Sequence, residues 1–147
     1  MLHTKIIDAS VEKIKISNAE NFLNSSKFGA VIYFVGTVRD NNENKEVTGI
    51  TYDTKDSMVI KSFEEIYEDA ESELNIKNKA VFIEHVKGYV GLSEKSIIIG
   101  VACKHRDEAY RLSRFIIEEI KKRTPIWKKE HYKNEESEWL KGVSLTQ

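Results

Sequence analysis

Cysteine and proline are almost missing from this 147-residue chain, which has one of each, Cys103 and Pro125. A single cysteine excludes an intrachain disulfide and a metal site built from cysteines. Long apolar runs are missing too: the longest, Ala30–Val35 and Ile97–Cys103, are as long as strands and too short for membrane spans. The first residues alternate charged and apolar side chains, unlike a signal peptide. We therefore expect a cytoplasmic protein.

Charge of one sign is not in excess, because 23 Lys and Arg residues and 24 Asp and Glu residues leave a net charge of −1. This balance argues against a protein whose whole surface binds nucleic acid. Hydrophobic residues make up 40% of the chain and charged residues 32%, as in ordinary globular proteins. The length is sufficient to bury a core, and we predict a single domain over residues 1–147.

Apolar residues recur with the period of an α-helix in two long segments, Asp56–Leu74 and Arg106–Arg123. The proline at position 125 ends the second of these helices. A shorter helix is predicted around Asn18–Asn24. The apolar stripes of the long helices consist of Val59, Phe63, Ile66, Tyr67, Ala70 and Leu74 in the first, and of Ala109, Leu112, Ile116 and Ile120 in the second.

The segment Gly29–Val38 is apolar at both odd and even positions, which predicts a central strand covered on both faces. The polar run Asp40–Glu46 predicts a loop. Together with the helices, the strands indicate an α+β domain with a mixed, largely antiparallel sheet on which the two long helices pack. The other predicted strands are Thr4–Ile7, Val47–Asp53, Ala80–Val86, Lys95–Cys103, Ile126–Tyr132 and Glu138–Lys141.

Three polar segments stand at the ends of these elements, where functional residues concentrate. The first, Gly36–Arg39, ends an apolar strand with an arginine whose planar guanidinium suits phosphate or carboxylate. The second, His105-Arg106, precedes the second long helix, whose first N–H groups and partial positive charge favour anions. Each segment also fits an ordinary exposed position, so the residues alone leave both interpretations open.

The third segment runs from Lys121 to Glu130. Lys121 lies in the last helical turn, where the helix dipole favours a cation, and this alone explains a basic helix end. Pro125 then reverses the chain and Trp127 needs a packing surface, so Lys128 can come close to Lys121. Two neighbouring ammonium groups depress each other's pKa, which yields a lysine able to take and give protons near neutral pH.

Other interpretations of these residues belong to different classes of protein. The segment Lys121–Lys133 combines six Lys or Arg residues with Trp127 and Tyr132, a composition typical of single-stranded nucleic-acid binding. Cys103 ends an apolar strand and fits a small buried residue better than a nucleophile. The histidines show no metal-ligand spacing, and there is no P-loop or dinucleotide fingerprint. We therefore expect neither a metal ion nor a cofactor.

Three segments, in this order and at this spacing, resemble the catalytic (large) subunit of molybdopterin synthase: GAVIYFVGTVR at 29–39, GVACKHR at 100–106 and KKRTPIWKKE at 121–130. Trp139 matches a tryptophan of that family's last strand, and the resemblance covers about Gly29 to Lys141. The chain departs from the family pattern after Arg39, where a glycine is missing, and in segment 86–94, which lacks a Pro-Gly turn. It also departs at Gly142-Val143, where relatives often carry an arginine.

The resemblance implies an α/β-hammerhead fold and a sulfurtransferase of molybdenum cofactor biosynthesis. It implies a heterotetramer, in which a homodimer of large subunits binds one small ubiquitin-like subunit at each outer end. The small subunit carries a thiocarboxylate on its C-terminal Gly-Gly, which enters a pocket of the large one. Its sulfur converts cyclic pyranopterin monophosphate into molybdopterin. A non-catalytic scaffold of the same fold is the alternative.

Carried over by motif, Lys121 is implied as the principal catalytic residue and Lys128 as the second catalytic lysine. Because the nucleophilic sulfur belongs to the partner, no catalytic cysteine is required. The implied substrate-binding residues, with the two arginines nearest the phosphate, are Thr37, Val38, Arg39, His105, Arg106, Lys129, Glu130 and Phe34.

Overall fold

The computed structural model describes residues 1–133 and the backbone of residues 138–140. The side chain of Trp139 and residues Gly142 and Val143 lie outside this described part. The elements are β1 (Leu2–Asp8), α1 (Ile16–Leu23), β2 (Ala30–Thr37), β3 (Asn41–Asn42), β4 (Lys45–Thr54), α2 (Asp56–Leu74), β5 (Lys79–Gly91), β6 (Lys95–Cys103), α3 (Arg106–Arg123), β7 (Ile126–Tyr132) and β8 (Glu138–Leu140).

The strands form one mixed sheet in the order β2-β6-β5-β4-β7-β8, in which neighbouring strands run antiparallel. Strand β1 joins β5 in parallel, and β3 pairs with β4. Strand β5 is long enough to pair with β6 through its first half and with β4 through its last four residues. Gly88 lies where the second pairing begins, with a φ of 99° that glycine adopts without strain. The predicted α+β class is confirmed.

Helices α2 and α3 have the predicted bounds and pack against each other. Helix α3 ends before Thr124, whose extended backbone precedes Pro125 as expected. In the described part of the chain, no helix combines the length and the apolar character that a bilayer crossing requires. The predicted stripe residues that are fully buried are Val59, Phe63, Ile66, Ala70, Ala109, Leu112, Ile116 and Ile120.

Different helices cover the two faces of the sheet. On one face, Phe22 of α1 packs against Phe82 of β5, with ring centroids 5.9 Å apart. Gly100 lies on this face, and a Cβ there would stand 2.6 Å from a methyl group of Leu23. Side chains alternate along a strand, so Phe34 points to the opposite face, where it meets Ile117 of α3. The pocket described below lies on this second face.

Strand β2 is not central. Among the described strands it pairs only with β6, so it forms an edge of the sheet. Its apolar residues Val31, Tyr33 and Phe34 are 41%, 37% and 36% exposed. The prediction of a strand covered on both faces is therefore wrong, because an apolar pattern does not distinguish burial within one chain from an exposed apolar surface.

The polar run Asp40–Glu46 is a β-hairpin, so the predicted loop is also wrong. Asn41 pairs with Glu46, and Asn42 with Lys45. The two turn residues between them have positive φ angles, 51° for Glu43 and 64° for Asn44, as in the tight turns that match strand twist. The turn lacks the glycine that usually marks such a hairpin. Its two left-handed positions are occupied by Asn44, a residue type that adopts this conformation fairly often, and by Glu43, which does so less readily.

Candidate active site

An open cavity of about 450 Å³ lies where the C-terminal ends of β2 and α3 meet strands β4 to β7. Its charged lining residues are Arg39, Lys121, Lys128 and Glu130, and its neutral polar lining residues are Thr37, Asn41, Asn42, Tyr52, His85 and Ser96. Three cations against one carboxylate give the cavity an excess of positive charge, which suits an anion.

Side chains alternate between the two faces of strand β7, and this alternation buries two of these charged residues. Ile126, Lys128 and Glu130 share the buried face of the strand, while Trp127 and Lys129 lie on the other face and are half-buried. Lys128 is 8% exposed and Glu130 is 3% exposed. Lys128 and Lys129, which are neighbours in the sequence, therefore differ in position: only Lys128 reaches the cavity.

Burial lowers the pKa of the Lys128 ammonium below that of an ordinary lysine. The Glu130 carboxylate opposes this shift, whereas the charges of Lys121 and Arg39 add to it. Lys121 and Lys128 thus line the same cavity, and the pKa of Lys128 is lowered. The main cause is burial, and the repulsion between cations is secondary.

Three neighbours fix the Glu130 carboxylate. The Asn42 side chain donates a hydrogen bond to Oε2 over 2.8 Å, and the Tyr132 hydroxyl donates to the same oxygen. Nζ of Lys128 lies 3.7 Å from Oε1. Asn42 comes from the short hairpin strand β3, so the hairpin helps to position the acidic group of the cavity.

The floor of the cavity lies over strands β4, β5 and β6 and is polar but uncharged. Tyr52 is 8% exposed, and burial raises the pKa of its phenol while a hydrogen bond with Ser96 opposes the rise. The Ser96 hydroxyl donates to the backbone oxygen of Gly36 over 3.2 Å. Gly36 itself has no room for a side chain, because a Cβ would lie 2.8 Å from Cγ2 of Ile97.

Six of the ten residues suggested by the sequence line this cavity: Phe34, Thr37, Arg39, Lys121, Lys128 and Glu130. Val38 does not, because it is 2% exposed and packs in the core. Lys129 faces the other side of β7. His105 and Arg106 begin α3, and the 15 residues from Arg106 to Lys121 span about 22 Å of helix. One chain therefore does not bring Arg106 and Arg39 together.

The polar lining residues that the sequence did not suggest come from strand interiors and from the hairpin. Tyr52, His85 and Ser96 lie in apolar surroundings, and only the pairing of β4, β5 and β6 brings them to one floor. Asn41 and Asn42 belong to the hairpin, which the polar composition of the run does not reveal. A polar side chain at a core-facing position of a strand was the one available signal.

Cys103 lies at the far end of β6 and is fully buried. Six residues of strand separate it from Ile97 in the cavity, about 20 Å. Burial raises the pKa of its thiol to about 11, so the reactive thiolate is disfavoured. In the part of the chain that the structure describes, no cluster of three His, Cys, Asp or Glu residues is arranged to hold a metal ion.

The basic segment at 121–133 does not form an exposed track. Lys128 and Glu130 point into the cavity, and Lys122 and Arg123 pair with Glu119. A surface for single-stranded nucleic acid needs cations and aromatic faces along an open groove. The arrangement instead suits one compact anionic molecule.

The fold and the lining residues define an α+β protein whose cation-lined cavity suits a small anionic molecule. Residues 9–123 match the family described as MoaE protein. The chain is 37% identical over 141 residues to the molybdopterin synthase catalytic subunit of Synechococcus elongatus, covering 96% of this chain and 85% of that protein. It spans 37% of the length of the longer Drosophila melanogaster relative, with 37% identity.

Solved structures show the same fold. Molybdopterin synthase from Staphylococcus aureus superposes with a TM-score of 0.84 at 28% identity, covering 93% of this chain and 96% of that one. A complex of subunits 1 and 2 of molybdopterin-converting factor from Helicobacter pylori gives a TM-score of 0.70 at 23% identity, covering 91% and 86%. The chain therefore belongs to the MoaE family. Its activity is that of a molybdopterin synthase catalytic subunit, an enzyme of molybdenum cofactor biosynthesis.

We predict that Lys128→Met removes a pH-dependent part of stability. The pKa of Lys128 is lower in the folded chain than the 10.5 of an unperturbed lysine. Between these two values the unfolded state binds more protons than the folded state, so stability rises with pH. The rise should be present in the unmodified protein and reduced in the variant, as measured by urea unfolding at several pH values from 7 to 10. Lys129→Met, on the other face of β7, controls for loss of charge; parallel curves for Lys128→Met and the unmodified protein would contradict the expectation.

Proposed function

We propose that this protein transfers sulfur from the thiocarboxylated C-terminus of a small ubiquitin-like partner to cyclic pyranopterin monophosphate, in the cytoplasm. The product is molybdopterin, whose dithiolene contains two such sulfurs. The observation that carries this proposal is the convergence of Arg39, Lys121 and Lys128 beside Glu130 in one cavity. An excess of fixed positive charge suits a substrate that carries a phosphate.

Lys121 is the principal catalytic residue in this proposal, and Lys128 is the second. Opening a cyclic phosphate and replacing oxygen by sulfur develops negative charge on oxygen and requires proton transfer. The lowered pKa of Lys128 brings its proton exchange closer to neutral pH. Glu130, 3.7 Å from the Lys128 ammonium, holds that group in place. Lys121, at the less buried rim of the cavity, neutralises charge on the substrate.

The remaining lining residues bind the substrate. Arg39 follows β2 at the mouth of the cavity and supplies a planar donor pair for phosphate oxygens. Thr37 adds a hydroxyl, and Phe34 adds an apolar wall beside Lys121. The substrate is thus held by its charged end at the rim.

The sulfur nucleophile belongs to the partner. Its thiocarboxylate sulfur forms a bond to a side-chain carbon of the pterin as an oxygen leaves with a proton. Water then breaks the bond between that sulfur and the terminal glycine, and the carrier departs as a carboxylate. A second carrier repeats the sequence. The Helicobacter pylori complex of two molybdopterin-converting factor subunits supports a partner of this kind.

His105 and Arg106 take part in this proposal only if a second copy supplies them. Strand β2 leaves one edge open, and its exposed Val31 and Tyr33 offer apolar contact area. If two β2 strands met antiparallel about a two-fold axis, the Arg39 end of one would face the Gly29 end of the other. A Cβ on Gly29 would lie 2.8 Å from the backbone oxygen of Lys104, so Gly29 adjoins the start of α3. We therefore propose a homodimer with two shared sites.

The first test is Lys121→Ala, which should abolish product formation and leave the fold intact. Lys121 is half-buried at a helix end, so its loss should cost at most about 1 kcal/mol of dipole interaction. Circular dichroism and a sulfur-transfer assay with purified thiocarboxylated partner separate folding from activity. Lys122→Ala is the matched control, because Lys122 is the next residue but is exposed and paired with Glu119. Turnover by a folded Lys121→Ala variant would remove the catalytic role.

The second test mixes two inactive variants, Lys121→Ala and Arg106→Ala. In a dimer with shared sites, a heterodimer contains one site that lacks both residues and one site that is intact. Random exchange of subunits should therefore restore about a quarter of the unmodified activity. No recovery after verified exchange would mean that Arg106 and Lys121 act in the same chain, and the shared site would be wrong.

The third test concerns sulfur. Cys103→Ser should stay active, because the thiol is buried about 20 Å of strand away from the cavity. An unpaired buried hydroxyl should cost about 1–3 kcal/mol of stability. The assay should use folded variant and purified thiocarboxylated partner, so that sulfur supply and stability are controlled. Loss of turnover in that setting would mean that sulfur passes through Cys103.

A further inference from the structure

His85 lies in the floor of the cavity, and no sequence motif assigns it a role. Its side chain is fully buried on β5, opposite Ile97 of β6, and it lines the cavity together with Tyr52. The two rings meet edge to face, with centroids 5.0 Å apart. Nε2 of this histidine has no hydrogen-bond partner among the described residues. A buried polar atom without a partner costs free energy, so its presence requires an explanation.

The other ring nitrogen determines what Nε2 can do. Nδ1 lies 2.8 Å from the backbone oxygen of Val86, and an oxygen can only accept, so Nδ1 carries the proton. Burial lowers the pKa of the imidazole to about 4, although the bond to Val86 opposes the shift. At neutral pH the ring is therefore uncharged, and Nε2 presents a lone pair. It can bind a donor, and it cannot bind a phosphate oxygen.

The position of His85 relative to the charged residues indicates which part of a ligand it meets. Lys128 stands opposite Tyr52 across the β4–β7 pairing, and Tyr52 contacts His85. The cavity thus has Arg39 and Lys121 at its exposed rim, the Lys128–Glu130 ion pair on its β7 wall, and an uncharged floor at Tyr52 and His85. A ligand held at the rim by its phosphate directs its uncharged end to the floor, and 450 Å³ is enough for a molecule of several fused rings.

We propose that His85 is a specificity-determining residue whose Nε2 accepts a hydrogen bond from an N–H group of the substrate's fused nitrogen heterocycle. This assignment rests on the proposed function, because it takes the pterin ring system as the ligand. In this proposal the rim of the cavity recognises the phosphate and the floor recognises the heterocycle. A ring system without a donor at that point leaves Nε2 unpaired and binds more weakly.

Two substitutions separate the two nitrogens of the ring. His85→Asn keeps an amide N–H near the position of Nδ1, which can still donate to Val86, and has no atom at the position of Nε2. His85→Gln places an amide oxygen near Nε2 and gives up the bond to Val86. Titration calorimetry on the full-length protein should show that His85→Asn weakens binding of cyclic pyranopterin monophosphate about tenfold, whereas His85→Gln stays within about threefold of the unmodified protein. In turnover, the loss should appear in KM, with kcat nearly unchanged.

Inorganic phosphate is the control ligand, because it has no heterocycle whose N–H group Nε2 could accept. Both variants should bind it as the unmodified protein does. Unchanged pterin affinity in a folded His85→Asn variant would overturn the assignment, as would an equal loss for both ligands, which indicates a purely structural histidine. If His85→Asn does not fold, His85→Gln decides alone, and a tenfold loss in it would refute the role of Nε2. Failure of the unmodified protein to make product with thiocarboxylated partner would instead refute the proposed function.

Discussion

The site depends on the buried ion pair of Lys128 and Glu130, which lies on the inward face of strand β7, near one edge of the sheet. Both side chains are more than nine-tenths buried, and taking two charges out of water is costly unless hydrogen bonds satisfy them. Asn42 and Tyr132 supply these bonds to the carboxylate. The hairpin, the β4–β7 pairing and the end of α3 must therefore all be in place before the cavity can hold its charges. Removing one partner takes the countercharge away from the other buried group, a loss of about 3–5 kcal/mol in comparable cases.

Helix α3 connects the two ends of the molecule that carry functional residues. Its apolar stripe fixes it on the sheet, its last turn delivers Lys121 to the cavity, and its first residue, Arg106, stands about 22 Å away. A rigid element of this length keeps the two ends apart within a chain. It also makes their spacing constant, so an assembly with two-fold symmetry can use the start of one helix and the end of another.

The sequence was informative where the signal is local. The period of the apolar residues predicted both long helices, and Pro125 predicted the return of Lys128 toward Lys121. What it could not predict depends on pairing between distant segments. Strand β2 has the composition of an interior strand but lies at an edge of the sheet. The hairpin at residues 40–46 is hard to predict because Glu43, and not a glycine, occupies a left-handed position of its turn. The uncharged floor of the cavity could not be predicted for the same reason. Isolated polar residues in buried strands can be assigned to one site only once the register between the strands is known.

Gly36 illustrates how an absent atom can be part of a binding site. The cavity exists there because nothing projects from the strand, and a Cβ would meet Cγ2 of Ile97, which lines the same floor. Every missense change at a glycine codon introduces a Cβ, so each such change at this position forces Ile97 or the strand to shift. The constraint at position 36 therefore arises from a residue whose missing side chain can make no contact with the ligand.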